Sequence, residues 1–432
     1  MRLPRIVFAA AIAASLLAPR LAAAAGYGIY EQGAAVLGMA GAGTASVHDA
    51  SANFYDPAAL ARLRSPELQV GGTWLQTRVS FAGIDPYPGY GVTEDMKAGN
   101  FFPPTVYYSQ PFRSKWTLGV GVNAPFGLGV DWKNPDTFTD RAYVTKATLR
   151  SIDGNVNLAY EVLPQLDVAV GFDMLFAGVE LWRTSPAGVA VPGSGGEPLQ
   201  VRTHLKGGYS HGNTGNFAVL WTPDPSWRFG LNYRGRAHVN IDNGNADFAL
   251  VPTGNAMVDQ AAAAGIPPAQ KVTTTLFFPA LVSMAAAWQP MPGWTYELDV
   301  NHAGWSWFKS LDIAFDQSNL NTTVEEDYRT SWRVSLGAER RLPTFTYRFG
   351  YYFDEAAAPV QSVSALLPDA NRHGVTGGLS RPFGASKAWT LDVYELALFV
   401  EDRSTEGQSS HGFDGVYKSY VNACGASVAY RW

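Results

Sequence analysis

Four residues, His48 to Ser51, bring together an imidazole, the Asp49 carboxylate and a hydroxyl, the groups that an acyl-transfer relay requires. Neighbours this close in sequence cannot form that relay by themselves, so a triad would have to recruit distant residues. Gly38 to Gly43 is rich in glycine, as phosphate-cradling loops are, but no strand precedes it and no Lys-Ser or Lys-Thr follows. Nucleotide chemistry is set aside on that ground. The 7 His are scattered without the spacing of zinc ligands. Cys424 is the only cysteine, which excludes a disulfide framework or a thiolate cluster within one chain. Neither a metal nor a cofactor is expected, nor any catalytic residue.

The elements that would carry a site are short alternating strands. Ile152, Val156, Leu158 and Tyr160 alternate with Asp153, Asn155, Asn157 and Glu161, and Trp294, Tyr296, Leu298 and Val300 with Thr295, Glu297, Asp299 and Asn301. The same period recurs from about residue 66 to the end, with its apolar half directed at lipid and its polar half at a solvated lumen. A globular β-sandwich also alternates. Here, however, strand ends repeatedly carry Trp, Tyr or Phe, as interfacial belts require, and Trp332, Val334 and Leu336 stand opposite Arg333 and Ser335. The chain beyond its first residues has no apolar run of spanning length, and in lipid only helices and closed barrels satisfy every backbone group. The expected fold class is therefore all-β, a transmembrane antiparallel β-barrel of about 14 strands running from 67–82 to 414–432. Leu163-Pro164, Pro223-Asp224-Pro225 and Leu342-Pro343 are expected as periplasmic turns, and 83–100, 184–200, 243–270, 314–327 and 355–370 as extracellular loops, one with a helical turn at 261–264. The alternation slips around Tyr394-Glu395-Leu396, which suggests a bulge.

Residues 1–25 form a secretory signal: Arg2 and Arg5, an apolar stretch of 13 residues from Ile6 to Ala18, then small residues to Ala25. Such a stretch is shorter than the roughly 20 residues that a membrane anchor needs. Cleavage after Ala23, Ala24 or Ala25 removes 3 of the 32 Lys and Arg, leaving 29 against 37 Asp and Glu, a mature charge of −8. That balance argues against a nucleic-acid partner. Together the ends and the strands place the chain in the bacterial outer membrane.

Residues 26–65 do not alternate. They are rich in Gly and Ala and contain Tyr55-Asp56-Pro57-Ala58-Ala59-Leu60. A barrel of this width cannot be filled by its own wall, and this stretch suits a compact lumenal plug. With Gly119-Val120-Gly121-Val122-Asn123-Ala124-Pro125-Phe126-Gly127-Leu128-Gly129 and Leu367-Pro368-Asp369-Ala370-Asn371-Arg372-His373, the chain from Gly26 to Trp432 resembles the FadL/TodX family of outer-membrane transporters for long-chain fatty acids and hydrophobic hydrocarbons. Asp56 stands where that family usually has Asn. The resemblance implies an N-terminal hatch (26–65) within a barrel of 66–432, gated near Asp56, Pro57 and Ala58. It also implies a kink in the third strand that opens a lateral window at Pro125, Phe126, Gly127, Leu128 and Gly129. Pro125 removes a ladder donor and Gly127 and Gly129 permit bending, which accords with the kink.

Ligand-gated diffusion of a hydrophobic molecule, with no covalent step, is the expected activity. Arg183 falls on the lumenal side by alternation and is a candidate cation for a substrate carboxylate, alongside Phe126 and Leu128 as apolar contacts. Aromatic residues at 277–278 and 305–308 are further candidates for capturing a greasy ligand. The expected partners are that ligand and outer-membrane lipids, with the protein acting as a monomer. A general porin for hydrophilic solutes and a membrane-embedded hydrolase are the rival readings.

Overall fold

The computed structural model describes residues 26–186 and 199–432, so the expected signal peptide and the middle of the 184–200 loop lie outside the described residues. The wall consists of β1 (Glu67–Gly83), β2 (Pro104–Phe112), β3 in two halves (Trp116–Asn123 and Gly127–Asp131), β4 (Lys146–Leu163), β5 (Leu166–Pro186) and β6 (Gln200–Asp224). It continues with β7 (Trp227–Arg234 and Ala237–Leu250), β8 (Gln270–Phe278 and Leu281–Trp288), β9 (Trp294–Ala303 and Ser310–Phe315) and β10 (Ser331–Arg341). The last four are β11 (Thr346–Asp354), β12 (Arg372–Phe383), β13 (Trp389–Val400) and β14 (Gly415–Arg431). Each strand pairs antiparallel with the next, and β14 returns to β1 from Glu67↔Arg431 to Gly83↔Gly415. Closure pairs the edges that an open sheet would leave bare in lipid.

The oily faces point outward. Val170, Phe172, Leu336 and Phe349 are 57%, 50%, 53% and 65% exposed, whereas Asp173, Asn157, Asp299 and Ser335 on the opposite faces are 0% exposed. Apolar surface on this scale belongs against lipid rather than water. Tryptophan and tyrosine gather at the short-turn end, where Trp227 and Trp288 lie 6.0 Å apart, Trp389 and Tyr430 4.6 Å, and Tyr430 and Trp432 5.4 Å. Such a belt marks one membrane–water boundary.

The expectation of a solvated lumen needs correcting, because the polar inner residues are covered by residues 26–65. That segment folds as α1 (Ala34–Leu37), α2 (Ala52–Tyr55) and a 3₁₀ turn, Pro57–Arg62. The wall admits it through glycines: a Cβ on Gly350 would lie 2.4 Å from the Met39 carbonyl carbon, and one on Gly378 2.7 Å from the Gly38 Cα. Wall carboxylates then accept its free backbone donors. Gly43 and Thr44 N–H donate to Asp299 at 3.2 and 3.0 Å, Ala45 N–H to Glu297 at 2.6 Å, and Ala50 N–H to Glu67 at 2.8 Å. Buried donors without partners would each cost about 1–3 kcal/mol, so these contacts fix the segment's position.

Two expectations about the wall are overturned. No bulge occurs at Tyr394–Leu396, where β13 stays in register with both neighbours. The pattern slips there because the inner face itself becomes apolar: Tyr394, Leu396 and Leu398 are buried inward. The 243–270 loop is also shorter than expected, since β7 runs on to Leu250 and the helical turn is α3 (Ala256–Ala263), capped by the Asn255 side chain accepting from Met257 and Val258 N–H.

Candidate functional site

The wall parts at β3. Its first half is hydrogen-bonded to both β2 and β4, but Gly127–Asp131 is paired with β4 alone. Pro125 has no N–H to offer a ladder, so the break falls where sequence chemistry permits one. The N-terminal segment takes the vacated edge. Ile29 N–H donates to the Pro125 carbonyl at 2.7 Å, Gly127 N–H donates to Tyr27 at 2.9 Å, and Gly28 bridges Phe126. Gln32 completes the seam: its Nε2 donates to the Ala124 carbonyl at 2.9 Å, and its Oε1 accepts from Ala124 N–H at 3.3 Å.

A cavity of about 540 Å³ lies against this seam. Leu75, Leu396, Leu398 and Val421 line it from the inner face, Arg150, Ile152 and Tyr209 from the outer. Arg150 and Ile152 are exposed and alternate with buried Leu149, Ser151 and Asp153. A cavity walled by both faces of a sheet has to pass through it. The passage runs between Phe101–Pro104 and Gly127–Gly129. A side chain would narrow it, since a Cβ on Gly127 would lie 2.8 Å from Ile29 Cδ1 and one on Gly129 2.2 Å from the Phe101 ring.

One end of this mainly apolar space is ionic, with Glu31, Arg333, Asp354 and Arg372 in its lining. The Arg333 guanidinium lies 3.7 Å from the Tyr352 ring centre and 4.7 Å from that of Tyr30, and donates to the Ala40 carbonyl at 3.2 Å. Among the described residues it has no carboxylate within ion-pair distance. Arg372 pairs with Asp369 at 3.4 Å and donates to the Gly26 carbonyl at 3.3 Å. Burial raises the Asp369 carboxyl to about 6 despite the opposing Arg372. Burial likewise pushes Glu31 above the usual carboxylate range, against the opposing pull of Arg333.

The expected site residues are distributed unevenly around this space. Phe126, Gly127, Leu128 and Gly129 line the cavity, while Pro125 lies in a small crevice behind it with Trp305. Asp56, Pro57 and Ala58 are buried and do not line it. Asp56 Oδ1 accepts from Ala58 N–H at 3.0 Å, and burial drives its carboxyl well above the usual range. Arg183 keeps the face that alternation assigns it, shared with inward-packed Val179 and Leu181, but stands near the loop end of β5 and is absent from the lining. Arg333 and Arg372 are the cations at the lumenal end instead. Phe278, Trp305 and Phe308 form an aromatic cluster with Tyr27 and Phe126, with Tyr27 and Trp305 centres 4.5 Å apart, and back the seam rather than the ligand space.

Sequence reasoning missed Gln32 and Arg372 and left Arg333 as one polar phase among many. The groups near His48 do not form a relay with one another. His48 contacts Arg341 at 2.9 Å, while Asp49 accepts from Ser51 N–H at 2.9 Å. The sequence also holds one Gly-x-Ser-x-Gly run not singled out above, Gly208–Gly212, which lies inside β6 rather than at a strand-to-helix elbow.

The family model described as outer membrane protein transport protein (OMPP1/FadL/TodX) matches residues 15–432. A long-chain fatty acid transport protein of Escherichia coli O6:H1 is 23% identical over 96% of this chain and 96% of its own length. Outer membrane protein P1 of Haemophilus influenzae is 24% identical over 86% of this chain and 85% of its own. Among solved structures, a Pseudomonas aeruginosa FadL homologue superposes with a TM-score of 0.81 at 16% identity, covering 94% of this chain and 99% of that one. The Pseudomonas putida toluene transporter TodX gives 0.70 at 15% identity, over 93% and 99%. These likenesses establish a shared barrel fold.

Proposed function

Because this chain belongs to the OMPP1/FadL/TodX family of outer membrane transport proteins, we propose that it carries hydrophobic molecules into the outer membrane through the side of its barrel. Residues 26–65 act as a hatch, and the Tyr27–Gln32 seam closes the lateral window at β3. The observation that carries this reading is a cavity lined from both faces of the wall. Its size falls within the roughly 300–1,000 Å³ of ligand sites.

A ligand's chain lies against Leu75, Phe126, Leu396 and Leu398, and a carboxylate, where present, faces Arg333. Sideways release follows from solvation. Apolar surface loses about 25 cal/mol per Å² on entering water, so a greasy solute moves downhill into lipid and uphill into periplasm. Long-chain fatty acids and monoaromatic hydrocarbons both satisfy this reading, in keeping with what the two transport relatives are named for. No bond is made or broken, and one chain suffices.

The test is Gly127→Trp, which places an indole in the window. Uptake of a labelled hydrophobic substrate falls to background while heat-modifiable migration shows a folded barrel. Full uptake by the folded variant would reject lateral release.

A further inference from the structure

Arg150 is the one cation among the outer-face residues that line the cavity. Its guanidinium is exposed, and among the described residues it has no carboxylate within ion-pair distance. It pairs across the strand with Gly127 itself, so it stands at the lip of the gap rather than somewhere along the belt. Ile152 and Val156 continue its face toward the membrane centre as exposed apolar residues.

Its height is as telling as its face. Leu163 ends β4 at the short-turn side, 13 residues from Arg150. At about 3.4 Å per residue and a tilt of about 40°, that spans about 34 Å, beyond the apolar band of about 25 Å. Arg150 therefore lies at the outer headgroup level, where a lipid-facing cation costs little. Tyr209, 59% exposed, stands beside it as an interfacial aromatic.

We propose that Arg150 is an exit-side anion site. It holds the oxyanion head of an amphiphile at the window's outer lip while the chain of that molecule turns into the hydrocarbon. A carboxylate head cannot enter the hydrocarbon with its tail, and a cation at this height keeps it at the interface as the tail leaves. The head has two sources, the carboxylate of a departing substrate or the phosphate of a neighbouring anionic lipid, whose charge no choline offsets. The proposal rests on lateral release, and it makes Arg150 a determinant of which hydrophobic molecules leave quickly.

The test reconstitutes the full barrel in vesicles of phosphatidylcholine alone and of phosphatidylcholine with phosphatidylglycerol. Transfer of a long-chain fatty acid is compared with that of the fatty alcohol of equal length. With Arg150→Gln, fatty-acid transfer falls about fivefold while alcohol transfer holds, and Arg150→Lys restores it. That selective loss in phosphatidylcholine alone identifies the substrate carboxylate as the head. A loss for both probes that occurs only with phosphatidylglycerol identifies the phosphate of the anionic lipid. Unchanged transfer in both membranes, or an equal loss for both probes in phosphatidylcholine alone, overturns the proposal. Gly127→Trp runs beside these variants: if it blocks transfer while Arg150→Gln is neutral, only the anion site fails, and if it too is neutral, lateral release fails.

Discussion

Arg333 holds its charge between the rings of Tyr30 and Tyr352, with one hydrogen bond to the Ala40 carbonyl and a face open to the cavity. A guanidinium with no carboxylate within ion-pair distance among the described residues, at the edge of so apolar a space, would discriminate among ligands by charge. Arg333→Met should weaken fatty-acid binding about tenfold or more and leave toluene binding within about twofold, read by calorimetric titration of the purified barrel. Equal losses for the two ligands would remove its selective role. Asp56 makes a different prediction. Its folded carboxyl is raised above its unfolded value, so its contribution to stability is complete below about pH 4 and fades as pH rises through the folded value. Thermal stability of the native chain should therefore fall, as pH rises above the unfolded value, by more than that of Asp56→Asn, and parallel curves would contradict the raised carboxyl. Alternation correctly gave Arg183 its face, but a period of 2 contains no information about height, and height decides which inward cation meets the ligand.

At the scale of elements, β3 and the N-terminal segment form one device. The break frees a strand edge, and Tyr27 to Gln32 occupy it with hydrogen bonds beside the cavity. Gln32→Ala removes both side-chain bonds to Ala124, and uptake at subsaturating substrate should rise about fivefold if the seam limits opening. An unchanged rate would place the barrier elsewhere. Two buried carboxyls sit in the loops. Burial raises Glu326 and Asp140 to about 8 each. Their stabilising share is complete below the unfolded value and is lost as pH rises through about 8, so protease cleavage in these loops should quicken above that pH. Constant cleavage from pH 6 to 9.5 would contradict this. The strands themselves were legible because each alternates for many residues, and Pro125 marked the break. The seam was not legible, since residues 26–65 carry no period and their partners lie about 90 to 300 residues away.

For the whole molecule, an oily exterior and a buried polar interior surround a cavity that reaches the lateral gap at β3. The outward faces and the strand number followed from composition and period, because lipid imposes the same demand on every strand. The inner face was harder to read, since it answers locally to the segment that packs on it, as the false bulge at Tyr394–Leu396 illustrates. The most direct measurement locks the seam reversibly. In a Cys424→Ser background, Gly28→Cys and Phe126→Cys place two thiols at a bridged antiparallel pair, a separation suited to a disulfide. Uptake of a hydrophobic substrate should be lost when the pair is oxidised and return on reduction. Equal uptake by the oxidised and reduced barrels would show that substrate does not leave beneath the N-terminal segment.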